Sequence, residues 1–164
     1  MDDKMKRLLP FLALALASCS SASNDNNTNN GFYVGKIDAQ KIMTDFPKFV
    51  KHQSDVDYSE QQVQYFKDLA EPTNIKIFFG QWCHDSQREV PRVIQLIEKA
   101  NNPNLTVEFM ALDITKSDPD GLAKQHNIRR TPTIIVYQNG EEIDRILEFP
   151  RVDWPTDIKQ ILTK

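Results

Sequence analysis

The sequence is poor in cysteine, in net positive charge and in long apolar runs. Two cysteines, Cys19 and Cys83, stand in 164 residues, too few for the disulfide framework of a small secreted domain. The formal net charge is −3, and with no basic excess to meet a phosphate backbone no nucleic-acid partner is expected. The longest apolar run, the ten residues from Leu8 to Ala17, is half of the roughly 20 that a membrane-spanning helix needs. His52, His84 and His126 lie far apart without ligand spacing, so neither a metal site nor a cofactor is expected. No internal repeat is visible. What is present is a chain with 40% hydrophobic residues, enough for one globular domain with a real core.

The amino terminus has the architecture of an export signal: Lys4, Lys6 and Arg7 precede the short apolar run. The end of that run, Leu16-Ala17-Ser18-Cys19, resembles the lipobox of bacterial lipoproteins. That resemblance implies a signal peptide over residues 1–18 and a lipidated Cys19 as the first mature residue. Ser20 stands where an aspartate would resemble the inner-membrane retention signal, so the expected location is the bacterial envelope, on an outer membrane facing the periplasm. Residues 19–30 then comprise the anchor and a polar tether, Ser20 to Asn30, with nothing to bury. With Cys19 acylated, Cys83 is the one free thiol, to be read as reactive or intermolecular, or else as buried and inert.

Phe78 to Pro91 is the stretch on which the rest depends. Asn74-Ile-Lys-Ile-Phe-Phe is a short β-branched and aromatic run suited to a buried strand, ended by Gly80. Beyond Ser86, Val90, Val93, Ile94 and Ile97 keep the spacing of an amphipathic helix. Cys83 therefore falls at a strand-to-helix turn, where free N–H groups and the positive end of the helix dipole favour a thiolate. His84, when protonated, adds to that effect and Asp85 opposes it.

Elsewhere the pattern is readable in pieces. Residues 31–57 are set apart as an N-terminal extension, with an edge strand at Tyr33-Val34 and a helix interrupted near Pro47. Ser59 and Gln62 form a capping box for a helix to about Ala70. Leu105, Val107, Phe109 and Ala111 alternate as one face of a strand. Asp118 to Gly121 is a turn before a short helix, Asn139-Gly140 joins two strand-like runs as a hairpin, and Trp154 to Leu162 closes as a helix. A parallel strand pair joined through a helix, then an antiparallel hairpin, gives a mixed sheet covered by helices on both faces.

These residues resemble the thioredoxin superfamily. Trp82-Cys83-His84-Asp85-Ser86 is similar to its Trp-Cys-x-x-Cys site, Pro91 matches the proline behind the nucleophile, and Ile128 to Thr133 resembles the segment with the family's cis-proline. The resemblance spans residues 58–164 and implies a thioredoxin-like three-layer α/β/α fold with a mixed central sheet. It further implies that Trp82, Thr131 and Pro132 bind substrate, that Cys83 is the nucleophile, and that Glu148 occupies a groove position where thioredoxins keep a glycine.

The departures matter as much. Ser86 replaces the resolving cysteine, and a hydroxyl does not displace a mixed disulfide. Ile77 and Phe109 stand where the family's buried acid and its lysine partner fall. The expectation is therefore a monothiol protein forming mixed disulfides with envelope proteins or low-molecular-weight thiols through Cys83. His84 and Ser86 tune the thiol, Ser86 as a hydrogen-bond donor, and an external thiol completes turnover. The alternative is a non-catalytic thioredoxin-fold module that binds an envelope polypeptide. A thiol peroxidase is a weaker third reading.

Overall fold

The computed structural model describes residues 28–164. The expected signal peptide, Cys19 and the expected tether up to residue 27 lie outside them. The last tether residues are ordered: β1 (Thr28–Asn29) pairs with β2 (Phe32–Tyr33) through Asn30 and Gly31, both at positive φ. Asn-Gly is the pair that a tight hairpin turn favours. The Asn29 amide also donates to Asp113 at 3.0 Å.

The main sheet contains β3 (Gly35–Ile37), β4 (Thr73–Phe79), β5 (Leu105–Ala111), β6 (Thr133–Gln138) and β7 (Glu141–Leu147), in the order β3-β5-β4-β6-β7. β4 and β5 are parallel and every other pairing is antiparallel. The crossover between the parallel pair is α4 (His84–Ala100), the amphipathic helix expected after Cys83, with Pro91 inside it and Asn101 ending it in the left-handed conformation. Helices α1 (Ala39–Asp45) and α2 (Pro47–Val50) come from the interrupted pattern at Pro47. Ser59 and Gln62 make the expected capping box at the start of α3 (Glu60–Lys67). The Asp118 carboxylate accepts from the N–H groups of Leu122 and Ala123 and so starts α5 (Leu122–Gln125). Helix α6 (Trp154–Leu162) closes the domain.

The two faces of the sheet are covered unequally. Ile75, Ile77 and Phe79 point to a core built with Ile42, Phe46 and Phe49 of the N-terminal segment, Val63 and Phe66 of α3, Val90 and Val93 of α4, and Trp154 and Ile158 of α6. Phe78, Met110 and Ile135 point the other way and form a smaller cluster with Leu112, with Tyr137 of β6, and with Leu122, Ala123 and Ile128 of α5 and its flanks. The three-layer arrangement thus has one thick helical layer and one thin one. Residues 31–57 belong to the same core, since β3 is the sheet's edge strand and Ile42 and Phe49 are fully buried. Helices of seven and four residues split at Pro47 are too short to show a sustained period, which is why the sequence presents this segment as an addition.

Candidate active site

Cys83 lies just beyond the carboxyl end of β4 as the N-cap residue of α4. Its N–H donates to Gly80 O at 3.0 Å and its carbonyl accepts from Gln87 N at 3.0 Å. The side chain is half-buried, and its thiol donates to the carbonyl of Thr131 at 3.1 Å. Thr131 is buried and its bond to Pro132 is cis. Two segments 48 residues apart in the chain thus meet at the sulfur, as the resemblance implied.

Trp82 forms one wall. Its indole N–H donates to Leu112 O at 3.1 Å, and its ring covers Gly80 so closely that a Cβ there would sit 2.6 Å from the indole. Gly80 is required by this approach, not only as a strand terminator. The Lys116 ammonium stands 5.6 Å from the centre of the Trp82 ring. The loop carrying Lys116 is tied down by Asp113, whose carboxylate accepts from Thr115 N, Thr115 Oγ1 and Ser117 N. Burial works to raise the pKa of Asp113, but these bonds and that from Asn29 outweigh it and hold the carboxyl below its ordinary range.

Ser86 is fully buried, and its hydroxyl accepts the N–H of Gly80 at 3.1 Å. The hydroxyl thereby ties the first turn of α4 to the end of β4, and among the described residues it makes no hydrogen bond to Cys83. His84 is exposed at the first helical position. Asp85 accepts from Arg88 at 3.0 Å. One turn on, buried Glu89 takes donors from Arg88 at 2.6 Å, Arg92 at 3.2 Å and the indole of Trp154 at 2.9 Å. A buried carboxylate needs such partners, and these ones pin α4 to α6.

Glu148 stands at φ 66, a conformation that favours glycine. Its N–H donates to Pro132 O at 2.7 Å and its carboxylate accepts Arg130 at 2.7 Å. Ile77 and Phe109 are buried register partners on β4 and β5. The two apolar residues therefore stand side by side on adjacent strands in the core.

The comparisons with known proteins bear on the family and the fold. Residues 40–155 match the model of a family described as thioredoxin, about 70% of the chain. The chain belongs to the thioredoxin family. A thioredoxin of Aspergillus fumigatus is 32% identical over 68 residues, covering 42% of this chain and 57% of the relative. Thioredoxin H2 of Arabidopsis thaliana is 28% identical over 85 residues, covering 51% and 59%. The chain thus spans under two thirds of the length of these relatives. Among solved structures, a Pseudomonas aeruginosa protein of unknown function superposes with a TM-score of 0.51 at 10% identity, covering 71% of each chain, which bears on the fold alone.

Cys83 meets Thr131, the cis bond links Thr131 to Pro132, and Pro132 accepts from Glu148 N–H, so these four residues are connected, with Trp82 and exposed His84 adjacent to Cys83 in the chain and Ser86 buried. Cys19 lies outside the described residues. Sequence reasoning missed Lys116, Arg130 and Glu89. Only Glu89 left a local trace, as an acid three residues before Arg92 on one helix. Among the described residues, no group of three or more His, Cys, Asp and Glu is placed to hold a metal ion, and no helix is long and apolar enough to cross a membrane.

Proposed function

We propose that this protein is an envelope-tethered, monothiol member of the thioredoxin family that forms mixed disulfides through Cys83. The observation that carries the reading is the half-buried thiol at the start of α4, 3.1 Å from the Thr131 carbonyl, with a hydroxyl at position 86 where a second thiol would complete the pair. The Cys83 thiolate attacks one sulfur of a partner disulfide. A bond forms between Cys83 and that sulfur, the partner's own S–S bond breaks, and its other sulfur leaves as a thiolate. Release needs a second exchange by an external thiol, from an envelope protein or a small molecule, because Ser86 has no sulfur to supply it. Trp82, Thr131, Pro132 and Glu148 line the groove that receives the partner. Exposed His84 is available to interact with the Cys83 thiolate. The lipid on Cys19 holds the domain at the membrane, on the periplasmic side of an outer membrane.

The test is trapping. The chain with Cys19→Ser, exposed to envelope proteins, accumulates adducts at Cys83 that persist until thiol is added. Cys83→Ser forms none, and Ser86→Cys releases them without added thiol. Rapid loss of adducts from the chain with Ser86 intact contradicts the mechanism. Partner capture that survives Cys83→Ser favours the non-catalytic binding module instead.

A further inference from the structure

The first turn of α4 carries an acid that opposes a thiolate at Cys83, and the second turn carries a cation that cancels it. Asp85 is two residues after Cys83, so their Cα atoms are at most about 7.6 Å apart, within the screening length of about 8–10 Å in ordinary salt. A free carboxylate on so near a residue disfavours a second negative charge on the sulfur. Asp85 is not free. Arg88 donates to it from Nη2 at 3.0 Å and to Glu89 from Nε at 2.6 Å. Most exposed ion pairs contribute little, because two mobile side chains must be ordered to form them. Here the guanidinium is already ordered by its second contact: the Glu89 side chain is 3% exposed and is itself held by Arg92 and by the indole of Trp154. Hydrogen bonding to Glu89, opposed by burial and reinforced by the charges of Glu89 and Asp85, holds Arg88 above its ordinary range, so it stays charged across the range in which thiols ionise.

We propose that Arg88 is a positioning residue for the reaction of Cys83: fixed by buried Glu89, it holds and neutralises the Asp85 carboxylate and so removes the acid's opposition to the thiolate. This rests on the mixed-disulfide reading above and names what keeps the sulfur reactive in it. The contacts from Trp154 to Glu89, Glu89 to Arg88 and Arg88 to Asp85 carry the effect from α6 to the first turn of α4. The other charged groups of the segments that reach the site are His84 on the same turn, Asp113 and Lys116 after β5, and Arg129, Arg130 and Glu148 about the cis bond. They are common to every variant tested.

The experiment follows exchange of the Cys19→Ser chain with dithiodipyridine, a disulfide that is uncharged at neutral pH. Cys83 Sγ bonds to one sulfur of the reagent, the reagent's S–S bond breaks, and its other half leaves as an absorbing thiopyridone, with no other oxidant or reductant involved. Arg88→Gln is expected to slow the exchange about two- to threefold near neutral pH and to move the midpoint of its pH profile upward. The loss shrinks in 1 M salt, where the screening length is about 3 Å. With Asp85→Asn in place, the same substitution is expected to change neither rate nor midpoint. Arg88→Lys keeps the charge and is expected to stay within about twofold of the unaltered chain. Melting temperatures report that each variant remains folded, and Arg88→Met, which keeps the apolar stem, takes the place of Arg88→Gln if that variant does not fold. An unchanged profile on loss of the Arg88 charge, or the same slowing with Asp85→Asn in place, overturns the proposal and leaves the mixed-disulfide reading standing. Failure of Cys83 to exchange in the chain with Arg88 and Asp85 intact overturns that reading, and this proposal with it.

Discussion

The two faces of the central sheet do different work. On the thick face, α1, α2, α3, α4 and α6 share one apolar core with Ile75, Ile77 and Phe79, and α4 is pinned to α6 by the Glu89–Trp154 bond. On the thin face only α5 and its flanks cover Phe78, Met110 and Ile135, while Lys76 and Glu108 meet water further along β4 and β5. Cys83 belongs to the thick side, because it caps α4. Lys116, over the Trp82 ring, and Thr131, against the thiol, come from the loops that follow β5 and precede β6. The thiol is thus carried by the more heavily covered side of the sheet.

The sharpest way to test the comparison is a matched pair of truncations. Phe79→Ala, in the five-helix core, is expected to lose about 3–5 kcal/mol in urea unfolding. Phe78→Ala is expected at the low end, about 3 kcal/mol, because thin-face neighbours can close or hydrate the gap. Equal losses would show that the thin layer braces the sheet as firmly. Next in size, Trp154→Phe removes one donor from buried Glu89 and should cost about 1–3 kcal/mol. An unchanged midpoint would remove that bond from the account of how α4 is held.

A smaller effect is expected at the groove. Glu148 is strained at φ 66, so Glu148→Gly should be more stable than Glu148→Ala by about 1 kcal/mol, since both lose the Arg130 pair and only glycine relieves the backbone. On the thin face, burial first and the nearby Lys76 charge second lower the pKa of His126 from its ordinary 6.5. The unfolded chain then takes up this proton more readily than the folded one, so stability falls as pH drops below about 6.5. His126→Gln should flatten that part of the stability profile, and an unaltered slope would place its origin elsewhere. The smallest change is expected for Lys76→Gln, within about 0.5 kcal/mol by thermal melting, because the side chain lies on the wet half of the thin face.

Much of the fold was legible along the chain because its signals are local. The capping box at Ser59 and Gln62, the alternation from Leu105 to Ala111, the Asn139-Gly140 turn and the helical spacing after Ser86 each span a few consecutive residues, and the helix, strand or hairpin each one implies forms there. The core membership of residues 31–57 was not legible, since short helices broken at Pro47 carry no sustained period. Nor was the place of Ser86. The residue type told that no second thiol is present, but not that the hydroxyl turns inward to Gly80.

By itself, then, the sequence determined the chemistry available: a thiol at a strand-to-helix turn, a serine at position 86, and apolar residues at 77 and 109, where the thioredoxin resemblance implies an acid and a lysine. Tertiary structure decided what surrounds that thiol. The Thr131 carbonyl, the Lys116 ammonium over Trp82 and the Arg130–Glu148 pair reach the site from segments 18 to 48 residues apart in their own contacts. So did the choice of face for each helix. A local pattern states that a stripe must be buried, whereas which side of the sheet buries it depends on how the whole chain packs.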